Sequence, residues 1–219
     1  MESLGGGAGR SQRRIRDAFV GREAELRLLR TALADACRGG LRVAVISGEA
    51  GAGKTRLVER FLDDVAVESH WSRCHEALAT PPFWPWSELL ESLLARASDG
   101  GPPRDGLRSA FAPLLPDMTV GDGRDRVGSG SDEVLFLFSA VRRALAETIA
   151  EPVVLVVDDM QWADPDSLSL LRFLTREAGE LPCLLLLTTR GVSGDDGGPH
   201  AGLVAYLASQ RHYERIDLA

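Results

Sequence analysis

Short apolar runs along the chain alternate with stretches in which apolar residues recur every three or four positions. Residues 41–47, 153–157 and 183–189 have the length and apolar content of buried parallel strands. Residues 70–74 and 213–218 are predicted as two further strands. Because strands alternate with helices throughout, the pattern indicates an α/β fold with an open parallel sheet and helices on both faces.

Helical periodicity fills most of the sequence between these strands. The first predicted helix ends at a pair of glycines, and its apolar face consists of Leu26, Leu29, Leu33 and Cys37. A long helix capped by Ser131 is predicted to bury Leu135, Phe138, Val141, Leu145 and Ile149. Further helices are predicted over residues 54–65, 107–115 and 201–210.

Prolines mark two further boundaries. Residues 81–86 contain three prolines and three aromatic residues, so they are predicted to be irregular. They precede a predicted helix with Leu89, Leu90, Leu93 and Leu94 on its apolar face. Asp164 and Pro165 together indicate a helix start, an N-cap followed by proline at the first helical position.

The segments without periodicity define the domain organisation. Residues 1–17 are rich in Gly, Ser and Arg, and we predict a disordered leader there. Residues 18–219 are predicted to form one domain of ordinary size. Within it, residues 98–105, 121–130 and 191–199 are predicted loops.

Composition and charge narrow the partners and the location. The net charge of −7 and the pI near 5.2 argue against direct nucleic-acid binding, which needs a basic face. The sequence has no apolar run approaching the roughly 20 residues of a membrane span, so we expect a cytoplasmic protein without membrane contact. Cys37, Cys74 and Cys183 form no CxxC pair, which favours buried thiols over a disulfide or a zinc site.

Residues 48–55 match the phosphate-loop pattern G-x-x-x-x-G-K-[ST]. Glycines let the backbone N–H groups approach the phosphates, and the following helix directs its positive end at the same anion. Lys54 is the only lysine among 25 basic residues. An ammonium reaches into such a loop more easily than a planar guanidinium. The residues predicted to bind the nucleotide here are Gly48, Glu49, Ala50, Gly51, Ala52, Gly53, Lys54 and Thr55, and the set extends to Arg56.

A second element of the site is predicted where the strand of residues 153–157 ends in two carboxylates. Asp158 and the Thr55 hydroxyl are predicted to hold Mg²⁺, Asp158 through water, since hard cations prefer oxygen ligands. Asp159 is predicted to orient or deprotonate the attacking water. Arg190, at the end of another strand, is either a sensor of the γ-phosphate or a solvated loop arginine.

Five motifs in this order resemble the ATPase domain of AAA-like signalling P-loop ATPases of the STAND group. They are residues 19–23, the phosphate loop, and residues 83–86, 158–164 and 188–190. In particular, they resemble the module of large LuxR-type and antibiotic-pathway transcriptional regulators of actinobacteria. The resemblance implies ATP and Mg²⁺ as ligands and a five-stranded sheet of order 5-1-4-3-2. It also implies that Val20, Gly21 and Arg22 line the adenine and ribose end, and that Arg190 senses the nucleotide.

In that family a helical lid, and then sensor repeats or a DNA-binding domain, follow the last core strand, whereas this sequence stops at Ala219. Without a lid to exclude water, we expect slow hydrolysis. The leading hypothesis is therefore a nucleotide switch whose partner is another protein domain or a second copy. A scaffold that binds ATP without turnover and a small-molecule phosphotransferase are the alternatives.

Overall fold

The computed structural model describes residues 21–76, 81–96, 131–177, 179–191 and 199–219. Within these residues one parallel sheet has the order β2-β3-β4-β1-β5. This order is the predicted 5-1-4-3-2 read from the opposite edge, so the predicted fold class is confirmed. The strands are β1 (Arg42–Gly48), β2 (Glu68–Arg73), β3 (Val153–Asp158), β4 (Cys183–Thr189) and β5 (Tyr213–Leu218).

Helices cover both faces of the sheet. They are α1 (Glu23–Cys37), α2 (Lys54–Asp64), α3 (Trp84–Arg96), α4 (Ser131–Thr148), α5 (Pro165–Glu177) and α6 (Pro199–Ala208), with a 3-10 turn at Met160–Trp162. Successive side chains of a strand point to opposite faces, so each strand contributes to two cores. Ala44 and Ile46 pack with α1 and α2, whereas Val43 and Val45 face the core that includes α3 to α6.

In the described part of the chain the helix faces agree with the periodicity except at two positions. Leu135 is half exposed, at 50%, and Val134 packs against the core instead. Val134 lies four residues before the buried Phe138, so it occupies the helix face that the prediction gave to Leu135. Cys37 is exposed and Ala36 is buried in its place.

The other two thiols are buried, as predicted. Burial, with nearby carboxylates adding to it, raises the pKa of the Cys74 thiol to about 12. Burial raises the pKa of the Cys183 thiol to about 12 as well. The prediction of buried thiols is therefore wrong for Cys37 alone.

The segment of prolines and aromatic residues is less irregular than predicted, since α3 begins at Trp84. Pro85 is tolerated there because the first turn of a helix has no partner for the N–H that proline lacks. The preceding Phe83 has a φ of 63°, so the chain turns sharply into the helix.

The predicted leader, the helix over residues 107–115 and the loops over 98–105 and 121–130 lie outside the described residues, as does most of the predicted loop at 191–199. No helix in the described part of the chain is long and apolar enough to cross a membrane.

Candidate functional site

The phosphate loop connects the carboxyl end of β1 to the first residue of α2. Gly51 and Gly53 have φ angles of 84° and 87°, a region that side chains other than glycine rarely adopt. A Cβ atom at either position would meet open space, so backbone conformation rather than crowding favours glycine there. Gly53 stands immediately before the start of α2, whose free N–H groups suit an anion.

Gly48 is required for a different reason. It pairs with Leu218 of the neighbouring strand β5, and a Cβ on Gly48 would lie 2.7 Å from the carbonyl oxygen of Leu218. The first glycine of the motif therefore lets β5 approach β1 closely.

The side chain of Lys54 is folded back over its own loop and is 7% exposed. Its Nζ donates hydrogen bonds to the carbonyl oxygens of Gly48 at 2.8 Å and Glu49 at 3.0 Å. The ammonium is therefore held at the loop by neighbours in sequence. Glu49, Ala50 and Arg56 are exposed around it.

Asp158, the last residue of β3, lies beside the first turn of α2. The Thr55 hydroxyl lies 3.2 Å from Oδ1 and 3.1 Å from Oδ2 of Asp158. The carboxylate is buried, and its Oδ1 also accepts a hydrogen bond of 2.5 Å from the Thr188 hydroxyl of β4. A hydroxyl and a carboxylate side by side form an oxygen donor set that fits a hard divalent cation such as Mg²⁺.

A third contact of Asp158 was missed in the sequence. Arg73, at the end of β2, donates to Oδ2 from Nε at 3.0 Å and from Nη2 at 2.8 Å. Arg73 and Asp158 are register partners in the parallel pairing of β2 and β3. The signal for this contact is the strand order, since a basic residue ending the strand beside β3 must lie close to Asp158.

Asp159 follows β3 in the left-handed conformation, with a φ of 57°. Its N–H donates to the Thr188 hydroxyl at 2.8 Å, and its carboxylate accepts from the Gln161 amide at 3.1 Å. The side-chain Oε1 of Gln161 in turn accepts a hydrogen bond from the backbone N–H of Arg190 at 3.1 Å. Gln161 therefore connects the two residues predicted to act on the γ-phosphate, a role that was not predicted from the sequence.

The Arg190 guanidinium is exposed and lies over the Trp162 ring, 5.5 Å from the ring centroid. This contact is a cation–π interaction. The structure thus brings Asp159, Gln161 and Arg190 into one group, beside Asp158 and the phosphate loop.

Asp164 caps α5 as predicted, because its Oδ1 accepts the backbone N–H of Ser167 at 2.8 Å. The same oxygen accepts the N–H of Phe83 at 3.2 Å. In addition, the Trp86 indole N–H donates to the Ser167 carbonyl oxygen at 3.1 Å. The segment of prolines and aromatic residues is therefore attached to the helix that follows the Asp158 strand.

The segment predicted to line the adenine and ribose end is described from Gly21, and Val20 lies outside the described residues. Gly21 has a φ of 99°. Arg22 pairs with Glu25 at 3.0 Å and donates to the Ala219 carbonyl oxygen at 2.8 Å. This segment thus lies beside the residue that follows β5.

A phosphate loop on this five-stranded parallel sheet defines a P-loop NTPase-like fold. The sequence profile of the AAA ATPase domain matches residues 18–187, and the chain belongs to that family of nucleotide-binding domains. No curated protein matches the chain.

Several solved structures are similar to the chain at low sequence identity. Cdc6p from Pyrobaculum aerophilum has a TM-score of 0.51 at 19% identity, over 94% of this chain and 48% of that chain. A chain of Drosophila ORC bound to AT-rich DNA and Cdc6 has a TM-score of 0.47 at 12% identity, over 90% of this chain and 53% of that chain. The Walker-type ATPase of Pyrococcus abyssi has a TM-score of 0.44 at 18% identity, over 93% of this chain and 54% of that chain. The chain spans about half the length of these solved chains.

Proposed function

We propose that this chain is an ATP-binding, slowly hydrolysing signalling domain of the STAND type, which acts as a nucleotide switch in transcriptional regulation. The observation that carries the proposal is the contact between Thr55 and Asp158. These residues are 103 positions apart, and their oxygens lie 3.1 Å from each other beside a phosphate loop. The subtype rests on the five motifs that resemble LuxR-type and antibiotic-pathway regulators.

The nucleotide phosphates would be bound by residues 48–56. The backbone N–H groups of the loop and the N-terminus of α2 suit their negative charge. Lys54 would neutralise part of that charge, because its ammonium already lies at the loop. Val20, Gly21 and Arg22 would line the adenine and ribose end, and ATP rather than GTP follows from the family resemblance.

Thr55 and Asp158 would hold Mg²⁺ together with the phosphates. When bound, the metal supplies positive charge that stabilises the phosphate oxygens during transfer. Asp159 would orient the attacking water, and the Gln161 amide holds its carboxylate in place. Arg190 would contact the γ-phosphate, since its guanidinium is exposed at the same end of the sheet.

The switch would depend on contacts that ATP makes and ADP does not. The Gln161 side chain bonds to the Asp159 carboxylate and to the backbone N–H of Arg190, so a γ-phosphate that engages Asp159 would also act on the backbone at Arg190. Loops ordered by a γ-phosphate and released after hydrolysis are a general switching device. The partner that reads the state would be another protein domain or a second copy, rather than nucleic acid.

A second candidate is a scaffold that binds ATP without turnover. It is favoured because Asp159 and Arg190, the residues assigned to hydrolysis, are both in contact with other side chains of the protein. The Asp159 carboxylate accepts a hydrogen bond from Gln161, and the Arg190 guanidinium lies over Trp162.

Phosphate release from ATP separates the two candidates. We expect slow, Mg²⁺-dependent release by the unaltered chain and a loss of at least about 100-fold in Asp159→Asn, as for a lost water-orienting group. ATP affinity, measured by calorimetry, should stay the same in this variant. Asp166→Asn is the matched control, since Asp166 is exposed in the first turn of α5. Binding without any release by the unaltered chain would favour the scaffold.

A further inference from the structure

The Asp158 carboxylate has its hydrogen-bonding capacity filled by protein donors. Its Oδ1 is in contact with the hydroxyls of Thr55 and Thr188, and its Oδ2 with the Thr55 hydroxyl and two N–H groups of Arg73. An ionised carboxylate offers about four acceptor sites. A cation, or a water molecule bound to it, can therefore approach Asp158 only if one of these donors gives way.

Arg73 is the donor that differs from the others. The two threonines are neutral, whereas the guanidinium carries a positive charge that repels a divalent cation at the same carboxylate. Its side chain is 47% exposed, while that of Asp158 is 1% exposed. A displaced Arg73 can therefore be hydrated, which lowers the cost of breaking the pair.

A groove beside Arg73 provides an alternative position for the guanidinium, next to other carboxylates. Arg73 lines an open groove of about 840 Å³ at the edge of β2, together with Trp71, Glu59, Glu88 and Glu91. The Arg73 backbone is fixed there, because its N–H donates to Glu88 at 3.2 Å and the Ser72 hydroxyl donates to the same oxygen at 2.8 Å. The side chain can turn from Asp158 towards these carboxylates while the backbone stays in place.

We propose that Arg73 is a positioning residue that competes with the divalent cation for Asp158, so that metal binding releases the guanidinium towards the β2 groove. This inference rests on the proposed function, since it needs a nucleotide and a metal at Thr55 and Asp158. In the absence of metal, Arg73 neutralises a buried carboxylate that would otherwise destabilise the fold. When metal is present, the positive charge of Arg73 weakens metal binding at Asp158. Metal binding is thereby coupled to the movement of the Arg73 side chain into the groove.

The test compares ADP affinity in excess EDTA with ADP affinity in Mg²⁺, both measured by calorimetry on the full chain. The dissociation constant in EDTA divided by that in Mg²⁺ reports how strongly the metal supports nucleotide binding. In Arg73→Gln we expect this ratio to rise by about tenfold, within the usual range of coupling between sites. Arg73→Lys keeps the charge and should stay close to the unaltered chain. Arg60→Gln is the matched control, because Arg60 lies on α2 and pairs with Asp64.

The melting temperature gives a readout that is independent of nucleotide turnover. Arg73→Gln should melt earlier than the unaltered chain in EDTA, and Mg²⁺ with ADP should raise its melting temperature by more. If the variant folds only when Mg²⁺ is present, as seen by circular dichroism, the inference is supported, because the metal then replaces the guanidinium. A variant that stays unfolded at every Mg²⁺ concentration contradicts it.

Failure of the inference and failure of the proposed function give different results. If the unaltered chain does not bind ADP, both are wrong. If ADP binds but the ratio in Arg73→Gln is unchanged or falls, Arg73 supports the metal site or has no effect on it, and only the inference is wrong.

Discussion

The phosphate loop and the Asp158 cluster, which is Asp158 with its partners Thr55, Arg73 and Thr188, lie side by side at the carboxyl ends of the strands, but they are held in different ways. Lys54 bonds to carbonyl oxygens five and six positions away in its own loop. Asp158 bonds to side chains 30, 85 and 103 positions away, on β4, β2 and α2. The loop is therefore a local structure, whereas the cluster exists only when the sheet has formed.

The phosphate loop and the Asp158 cluster should therefore respond differently to substitution. Changes in the loop should affect ligand binding more than folding, because few distant contacts depend on its side chains. Changes around Asp158 should affect folding even without a ligand, because a buried carboxylate needs its partners.

The largest expected effect is on nucleotide binding, in Lys54→Ala. Loss of a charge-assisted contact to phosphate should weaken ATP binding by about 10- to 100-fold or more, measured by calorimetry. The free energy of unfolding without nucleotide should change little, because the two bonds lost are to carbonyls within the loop. Arg60→Ala, on the same helix, should leave ATP affinity unchanged. Unaltered affinity in Lys54→Ala would remove the loop from the site.

The next effect is on stability, in Thr188→Val. The substitution conserves shape but removes a donor to Asp158 and the acceptor of the Asp159 N–H. We expect the free energy of unfolding, measured with urea, to fall by about 2 kcal/mol.

The matched control is the adjacent Thr189→Val. The Thr189 hydroxyl is buried without a hydrogen-bond partner among the described residues. Its replacement should therefore be neutral or stabilising. Equal losses in the two variants would show that the Thr188 hydroxyl contributes no more than a hydroxyl without hydrogen-bond partners, which contradicts the role assigned to it.

The smallest effect is expected from backbone conformation, in Gly51→Ala. The added Cβ meets no atom, so the cost is that of a positive φ alone, roughly 1–2 kcal/mol in the free energy of unfolding. Gly202→Ala should change the free energy of unfolding in the opposite direction. Gly202 lies within α6 with open space around it, and alanine should stabilise that helix by up to about 1 kcal/mol. If Gly51→Ala were also stabilising, the left-handed conformation of the loop would be wrong.

Much of the fold followed from local patterns in the sequence. Residues 183–189 and 213–218 were predicted as strands with the bounds that the structure has, because apolar length and alternation are properties of a short segment. The α3 start and the exposure of Leu135 were missed. The exposure of Leu135 depends on which side of its helix meets the core, and this is decided by neighbours that are distant in sequence. The α3 start instead follows a local rule, since the first turn of a helix tolerates Pro85.

The candidate site divides in the same way. By itself, the sequence determined the phosphate loop, the paired carboxylates after β3 and the N-cap at Asp164, since each is encoded within a few residues. Only the tertiary structure decided that Arg73 pairs with Asp158, that Gly48 makes room for β5, and that Gln161 connects Asp159 with Arg190. The physical reason is that parallel pairing brings the ends of distant strands to one edge, where their side chains complete each other's hydrogen bonds.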